Sequence, residues 1–445
     1  MGSEPWVNMP FDEAVQVNPP VALKRGEVYP FVDMQAVIPA SRSVGPSETR
    51  EFDGGGSHFA PGDTLMARIT PCLENGKIAR FRPQGDHQVG HGSTEFIVIR
   101  GRPGVTDNDF AYYLTKWDGV RLYCVSQMTG SSGRQRVPIS ALSHCEVPVP
   151  PLGEQKRIAG ILGTLDDKIE LNRRMNETLE AMARAIFKSW FVDFDPVRAK
   201  VAGRKPPSMD AATAALFPAA FQDSPIGPIP KGWQAVGLEQ YVEAVKGLSY
   251  NGAGLAQAGE GLPLHNLNSV LEGGGYKYAG IKYYTGEYRE RHFVRPGDVI
   301  VANTEQGFDY LLIGYPAIVP ACFGESGLFS HHLYRVRPVS KSPLKTQFLY
   351  HLLMSPLVRD QITGCTNGTT VNMLAADGLQ RPLFVLPPAG LIDRFESLAA
   401  DLHAKAECNR QESETLTAMR DALLPRLLSG EIRVQDAGKS SKGVA

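Results

Sequence analysis

Two short sequences in this chain contain residues that could take part in catalysis, but each lacks a side chain that the chemistry requires. Residues 18–20 read Asn-Pro-Pro, like the start of the Asn-Pro-Pro-Tyr motif of adenine methyltransferases, yet Val21 stands where an aromatic ring would stack on a flipped base. Residues 438–440 read Gly-Lys-Ser like the end of a phosphate-binding loop, yet Arg433 stands where its first glycine is required. We interpret both as loops without catalytic function.

Carboxylates, thiols and imidazoles are also placed unfavourably for a nuclease or a metal site. Asp63, Glu74 and Lys77 do not have the spacing of a PD-(D/E)xK nuclease. No cysteine pair or Cys/His cluster has the spacing of metal ligands. We therefore expect no catalytic residue, cofactor or metal. Scattered thiols, with no signal peptide and no apolar run of membrane-spanning length, predict a cytoplasmic protein. The cysteines are Cys72, Cys124, Cys145, Cys322, Cys365 and Cys408.

Two glycine-containing turns carry side chains suited to binding DNA. Residues 129–136 read TGSSGRQR and residues 365–372 read CTNGTTVN, and each precedes an apolar run. Arginine pairs with guanine and asparagine or glutamine with adenine, while hydroxyls and backbone amides bind phosphates. Either turn alone would more often be an ordinary polar surface turn, but their recurrence at matched positions favours DNA contact. The predicted contacts are Ser131, Ser132, Arg134, Gln135, Arg136, Asn367, Thr369, Thr370 and Asn372.

Two basic clusters are weaker candidates for the same role. One contains Lys77 and Arg80 with Arg82 nearby, and the other contains Arg289 and Arg291. Most such clusters are solvated surface. The formal net charge of −1 is weak evidence against a freestanding nucleic-acid binder, although partners could supply part of the positive charge. Further residues of the second cluster are Arg295, Tyr283, Tyr284 and Tyr288.

The elements that must position these residues occur twice, with an offset near 237 residues. Residues 172–182 and 409–419 are identical at seven of eleven positions. Upstream, residues 59–69 resemble residues 294–304, and residues 110–116 resemble residues 348–354. Because the order of these segments is the same in both halves, the whole unit is duplicated.

Each copy is predicted to consist of a globular part and a long helix. Apolar residues recur every three or four positions through residues 153–191 without proline, and a similar stripe follows in the second copy. A helix of roughly 38 residues is about 57 Å long, so one small domain would not cover its stripe, and the other copy is the obvious partner. Asn172 and Asn409 are at equivalent places, either buried to fix the register or at a water-facing edge.

The chain divides on these patterns into six predicted segments. The globular parts contain strands such as residues 93–100 and 297–304 and short helices near residues 107–124 and 344–361. A Pro-, Ala- and Gly-rich connector would return the chain, so that the helices are antiparallel and hold the globular parts at opposite ends. Such a spacer suits two DNA sites about one helical turn apart. The segments are domain 1 (1–151), helix 1 (152–192), the connector (193–230), domain 2 (231–388), helix 2 (389–430) and a flexible tail (431–445).

Residues 150–200 strongly resemble the central conserved region of type I restriction-modification DNA specificity (S) subunits. Residues 216–233 are similar to the segment that opens the second recognition domain of that family. The resemblance implies two similar mixed α/β target recognition domains, separated by two long conserved helices packed as an antiparallel coiled coil, in a pseudo-twofold internal repeat. It also implies a non-catalytic subunit that recognises an asymmetric bipartite site in double-stranded DNA for phage defence.

The resemblance further implies partners that carry the chemistry. Two methyltransferase (M) subunits would supply S-adenosylmethionine-dependent DNA methylation, and restriction (R) subunits would use ATP and Mg. Two departures bear on how symmetrically the partners dock: residues 387–395 lack the Glu-Gln pair of residues 154–155, and only Trp6 stands near the place of Trp233. The alternatives are a coiled-coil adaptor with duplicated protein-binding domains and a fused methyltransferase or nuclease.

Overall fold

The computed structural model describes residues 5–85, 88–131, 133–306, 309–368 and 371–434. Their contacts divide the chain into two compact units. Unit 1 comprises the chain up to Asn176 and from Glu407 onward, and unit 2 comprises Glu177–Ala406. Both divisions fall within long helices, so each long helix contributes one part to each unit.

Unit 1 is a mixed α/β fold. Its larger sheet has the strand order β2-β10-β7-β8-β4, its smaller sheet has the order β5-β3-β9-β6, and β1 pairs with β11. The strands are β1 (Val7–Pro10), β2 (Val15–Val17), β3 (Val28–Val32), β4 (Ser43–Val44), β5 (Glu48–Glu51), β6 (Ser57–Phe59), β7 (Thr64–Ala67), β8 (Ile78–Phe81), β9 (Gly90–Gly92), β10 (Phe96–Gly101) and β11 (Glu146–Val149). The helices are α1 (Phe11–Ala14), α2 (Asn108–Lys116), α3 (Asp118–Ser126) and the long α4 (Leu152–Phe191), which continues into unit 2.

Unit 2 repeats this plan. Its sheets have the orders β15-β24-β20-β22 and β16-β18-β17-β23-β19, and β14 pairs with β27 as β1 does with β11. The strands are β12 (Phe221–Gln222), β13 (Ile229–Pro230), β14 (Gln234–Gly237), β15 (Val242–Lys246), β16 (Leu255–Ala256), β17 (Leu262–His265), β18 (Lys282–Tyr284), β19 (Phe293–Val294), β20 (Val299–Ala302), β21 (Thr304–Gln306), β22 (Pro316–Ile318), β23 (Gly327–Phe329), β24 (Leu333–Pro338), β25 (Thr366–Asn367), β26 (Val371–Leu374) and β27 (Leu383–Leu386). The helices are α5 (Asp195–Val201), α6 (Ala211–Ala215), α7 (Thr346–Met354), α8 (Pro356–Gly364), α9 (Ala376–Gln380) and the long α10 (Ala389–Leu428).

The shared plan confirms the predicted mixed α/β fold and internal repeat. The predicted strands at 93–100 and 297–304 correspond to β10 and β20, and each predicted short helix is a pair of helices, α2 with α3 and α7 with α8. The first pair is divided at Trp117, whose ψ of 135° is extended rather than helical. Strands β7 and β20 are buried along their whole length, which explains why they have continuous apolar sequences instead of alternation.

Helices α4 and α10 pack against each other in an antiparallel arrangement within each unit. In unit 1, Asp166 of α4 pairs with Arg420 of α10, whereas the later Asn172 contacts the earlier Asn409. In unit 2, the ring centroid of Phe187 lies 5.3 Å from that of Phe395. Residue numbers therefore rise on one helix as they fall on the other. This confirms the predicted antiparallel pairing.

Asn172 and Asn409 are 0% and 2% exposed, so neither is at a water-facing edge. The Asn172 amide donates hydrogen bonds to the Asn409 carbonyl oxygen at 3.2 Å and to Glu412 Oε2 at 2.8 Å. The Asn409 amide donates to Asn176 Oδ1 at 2.9 Å. A role of this layer in fixing the helix register stays a prediction.

The predicted connector contributes to the core of unit 2. Phe194, Val197, Phe217 and Ile229 are buried in the same cluster as Trp233. The segment also forms α5, α6 and the β12–β13 pair. Its irregularly spaced apolar residues gave no periodic signal, and its proline and glycine content resembles that of a linker, so the sequence did not reveal this packing.

The two copies begin their long helices differently. In unit 1, Trp6 Nε1 donates to Glu154 Oε2 at 2.8 Å, and the buried Gln155 amide donates to the carbonyl oxygen of Pro150 at 2.7 Å. In unit 2, Leu391 and Ile392 occupy the matching positions and are 0% exposed. An apolar contact thus replaces the Glu-Gln pair at the start of α10.

The start of the predicted tail packs on unit 1, where Ile432 and Val434 lie against the core. The Arg433 guanidinium lies 4.2 Å from the centroid of the Trp6 ring. Residues 435–445, including the Gly-Lys-Ser sequence at 438–440, lie outside the described residues. In the part of the chain that the structure describes, no helix combines the length and apolar character needed to cross a membrane.

Candidate nucleic-acid interface

The predicted turn of unit 1 is a β-hairpin, which we call hairpin 1 (residues 129–131 and 133–136). The backbone N–H of Thr129 donates to the carbonyl oxygen of Arg136 at 3.0 Å, and the reverse bond is 2.9 Å. Arg136 also bridges to Ile69, which follows β7. The N–H of Val137 then donates to the carbonyl oxygen of Arg68 at 2.8 Å. The hairpin is therefore fixed to the end of a buried central strand.

The predicted turn of unit 2 forms a hairpin in the same way, which we call hairpin 2 (residues 366–368 and 371–374). Met373 of β26 pairs with Thr304 of β21 on one side and with Asn367 of β25 on the other. The N–H of Leu374 donates to the carbonyl oxygen of Asn303 at 2.9 Å. Met373 is thus equivalent to Arg136, and Val371 is equivalent to Arg134, at the offset of 237 residues that also relates Asn172 to Asn409.

The side chains of hairpin 1 divide into free and engaged groups. Ser131 and Arg134 are exposed, and Gln135 is partly buried. The Arg134 side chain makes no hydrogen bond or ion pair with any described residue. The Arg136 guanidinium instead binds Glu95, with Nη2 and Nε at 2.7 Å and 2.9 Å from Oε1, and these hydrogen bonds raise the pKa of Arg136. Ser132 lies outside the described residues.

Hairpin 2 presents a different set of side chains. Asn367 is exposed, but Asn372 is 3% exposed and faces inward. The exposed residues of β26 are Val371 and Met373, at 46% and 48%. Thr369 and Thr370 lie outside the described residues. The equivalent surfaces are thus cationic on hairpin 1 and apolar on hairpin 2.

Sequence reasoning missed Val371 and Met373 because it looked for hydrogen-bond donors and acceptors. The signal was their spacing, since alternate residues of a strand share one face. With Asn372 and Leu374 directed inward, Val371 and Met373 must be directed outward.

Two side chains of the basic cluster of unit 1 are engaged by other groups of the protein. Lys77 Nζ donates to the carbonyl oxygen of Met34 at 2.7 Å, and Arg80 forms an ion pair with Asp109. Arg80 and Arg82 line a surface cavity together with Arg42 and acidic side chains. Those acidic residues are Asp166, Asp167 and Glu170.

The basic cluster of unit 2 is more open. Arg289 and Arg291 are exposed on either side of Glu290 in a short turn of 3₁₀ helix, Glu290–His292. Arg291 Nε donates to His292 Nε2 at 3.2 Å. Burial, together with these two arginines, lowers the pKa of His292. Of the nearby aromatic residues, Tyr288 is 45% exposed whereas Tyr284 is 5% exposed. The DNA contacts predicted for both clusters and both hairpins stay predictions.

Within the described ranges, no group of three histidine, cysteine, aspartate or glutamate side chains is arranged to hold a metal ion. Burial raises the pKa of the Cys124 thiol to about 12 and that of the Cys145 thiol to about 11. Both cysteines are therefore poor nucleophiles at neutral pH, because the thiolate is the reactive form.

Comparison with known proteins shows which family the chain resembles. Residues 68–181 match the family model of the type I restriction modification DNA specificity domain. The chain is 27% identical to the HindI specificity subunit of Haemophilus influenzae, over 83% of this chain and 86% of that protein. It is 25% identical to the MjaIX specificity subunit of Methanocaldococcus jannaschii, over 77% of this chain and 72% of the relative.

A solved structure supports the fold. A type I restriction-modification S subunit from M. genitalium superposes with a TM-score of 0.50 at 14% sequence identity, covering 95% of this chain and 96% of that one. The comparisons indicate no catalytic family. The resemblance stated from residues 150–200 is confirmed.

Proposed function

We propose that this chain, which is similar in sequence to type I restriction-modification specificity subunits, is itself such a subunit and that its two units each bind one part of a bipartite DNA site. The observation that carries the proposal is the matched pair of hairpins. Each is fixed to the end of a central buried strand, and each exposes side chains at equivalent positions. Because those side chains differ, the two parts of the site should differ in sequence.

The proposed contacts in unit 1 are centred on Arg134. Its guanidinium has five donors and no acceptor, and two of them match the O6 and N7 acceptors of guanine in the major groove. Arg136 holds the hairpin in place through Glu95. Ser131 is exposed and can donate to phosphate oxygens. Arg289 and Arg291 of unit 2 are suited to phosphate contacts, because both are exposed.

We infer that the chain is not itself an enzyme and works in the cytoplasm with methyltransferase and restriction subunits. These partners would supply S-adenosylmethionine, ATP and Mg. No complete catalytic motif occurs in the sequence. The M and R partners are those implied by the family that the chain resembles, and their docking surfaces are part of the proposal.

The test is a footprinting and activity experiment with the purified full chain, alone and with a methyltransferase partner. We expect two short protected DNA tracts separated by an unprotected gap, strengthened by the partner, with no methylation or cleavage by this chain alone. Methylation or cleavage without a partner would favour the fused enzyme. Absence of any protected tract in both conditions would favour the coiled-coil adaptor.

A further inference from the structure

We propose that Val371 and Met373 of hairpin 2 determine sequence specificity by packing against thymine C5-methyl groups in the major groove of DNA. The inference rests on the proposed function and names the base chemistry that unit 2 reads. It also assigns the two hairpins different modes of recognition: a cationic one in unit 1 and an apolar one in unit 2.

Hairpin 1 and hairpin 2 expose equivalent surfaces. Arg136 lies between Ile69 and Thr129 in unit 1, as Met373 lies between Thr304 and Asn367 in unit 2. The same backbone therefore directs a guanidinium in one unit and a thioether in the other. Val371 is likewise the counterpart of the exposed Arg134 at the offset of 237 residues. The DNA contact proposed for Arg134 therefore has an apolar counterpart in unit 2.

Two apolar side chains of hairpin 2 are exposed to solvent. Val371 and Met373 are about half exposed, while Asn372 and Leu374, which alternate with them, are each 3% exposed. The outer side chains of β26 are apolar and in contact with water. Binding a partner that removes this apolar surface from water would be favourable. Val371 and Met373 thus form a half-exposed apolar site beside the polar Asn367.

The small area of this apolar site limits what can bind it. A stable protein interface buries roughly 800 Å² per partner, far more than two half-exposed side chains supply. Among base edges in the major groove, the thymine methyl is the apolar group, and apolar side chains recognise it. The size of the Val371–Met373 pair therefore fits a methyl contact better than a protein surface.

Basic side chains lie on one side of the apolar pair. Thr304, which pairs with Met373, lies with its hydroxyl 2.9 Å from His332 Nδ1. Burial, and to a smaller extent His331 and Lys246, lowers the pKa of His332. Lys246 is exposed and acts on His332, whose ring meets the Thr304 hydroxyl, so a cation that could bind a DNA phosphate lies on the Thr304 side of the hairpin. A basic neighbour favours DNA over an apolar protein partner.

The experiment begins with selection of bound duplexes from a random library by the full chain, with its methyltransferase partner present. The selected sequence gives both half-sites, and Arg134→Gln identifies the half-site of unit 1 by relaxing it. Each thymine is then replaced in turn by deoxyuridine, which lacks only the methyl group. We expect about fourfold weaker binding at one or two thymines of the unit 2 half-site, from the loss of one buried methyl contact each.

The variant for this test is the double substitution Val371→Thr, Met373→Gln, and its matched control is Val339→Thr. Val339 is 37% exposed in unit 2 and lies outside both hairpins. The double variant should bind thymine and deoxyuridine duplexes equally, whereas the control should retain the fourfold difference. Circular dichroism and thermal unfolding would establish that each variant is folded.

Three results would overturn the inference while leaving the proposed function intact. One is a unit 2 half-site without thymine, and another is indifference to deoxyuridine at every position of that half-site. The third is a double variant that keeps the thymine preference but loses a protein association of the parent chain. Failure to select any sequence would instead overturn the proposed function, so the two failures are distinguishable.

Discussion

At the scale of single residues, the structure gives different roles to side chains of the same type in the same turn. Arg134 and Arg136 are two positions apart in the same turn, yet Arg136 is held by Glu95, whereas the Arg134 side chain forms no hydrogen bond or ion pair with a described residue. A bound guanidinium positions the hairpin, whereas a free one can pair with a base without first losing a partner. The pattern of residue types is the same for both roles, so only the fold distinguishes them.

We predict that Arg134→Gln weakens binding to the specific duplex by about 1–3 kcal/mol and relaxes the preference at one position, because one bidentate base contact is lost. Equilibrium binding to the selected duplex and to single-base variants of it measures both effects. The matched control is Arg25→Gln, an exposed arginine away from both hairpins. Equal losses in the two variants would mean that Arg134 contributes only general charge.

His351 predicts a dependence of stability on pH. It is 4% exposed and lies beside Phe187 and Phe395. Burial, with a smaller effect of Arg184 and His403, lowers the pKa of His351 to about 3. The folded state therefore favours the neutral ring. Its contribution to stability is complete above the unfolded pKa near 6.5 and is lost as the pH falls from there toward the folded pKa.

We expect the free energy of unfolding to fall by roughly 1 kcal/mol per pH unit from this group between pH 6 and pH 4. His265 acts in the same direction, since burial lowers its pKa to about 4. Comparing the full chain with His351→Phe isolates the effect, because the variant should have the smaller slope in urea unfolding across that range. Identical slopes would place the pH dependence elsewhere.

At the scale of elements, a buried ion pair lies in the antiparallel pair of α4 and α10. Asp166 and Arg420 have side chains 3% and 6% exposed, with Arg420 Nη1 at 2.8 Å from Asp166 Oδ1. Asp166 also accepts a hydrogen bond from the Tyr113 hydroxyl at 2.8 Å, which joins the helix pair to α2. Removal of one partner leaves a buried charge, so this position is sensitive to substitution.

Arg420→Met should therefore destabilise the protein by about 3–5 kcal/mol, the usual cost of breaking a buried pair. Arg426→Met is the matched control on the same helix, because Arg426 and its partner Glu431 are both more than half exposed. An exposed pair contributes about 0–1 kcal/mol, so the control should change little. Urea unfolding measures both values, and a similar small change in the two variants would contradict the prediction.

The long helices were predictable from sequence to within a few residues, because a stripe repeated over ten turns is a strong signal. Unit topology was predictable only in outline. Strands such as β7 and β20 are buried on both faces, which removes alternation. The hairpins were predicted as turns, yet their exposed residues depended on the pairing register, which no local pattern of glycine or hydroxyl residues determines.

At the scale of the whole molecule, the path of the chain between the units decides what sets the spacing of the two half-sites. The connector, residues 193–230, begins and ends inside unit 2 and is part of its core. The chain crosses from one unit to the other within α4 and returns within α10. Spacing should therefore depend on the helices and not on the connector.

We predict that four residues inserted after Gly203 leave the tolerated gap unchanged. Gly203 lies in an exposed turn with φ of 68°, after α5 and outside the long helices. Selection of bound duplexes measures the gap directly. The comparison variant carries two insertions, four residues in α4 and four in the facing part of α10. This variant should tolerate a longer gap. A gap that changes with the connector alone would contradict the prediction.

The buried asparagine layer gives this arrangement an evolutionary consequence. Asn172, Asn176 and Asn409 meet at one level of the helix pair. If this layer fixes the register, as predicted, a length change in only one helix would break its hydrogen bonds. Altering the distance between half-sites thus calls for two compensating genetic events, whereas altering the bases that are read needs single substitutions in a hairpin. Among related proteins of this kind, the bases that are recognised should therefore change more quickly than the distance between the half-sites.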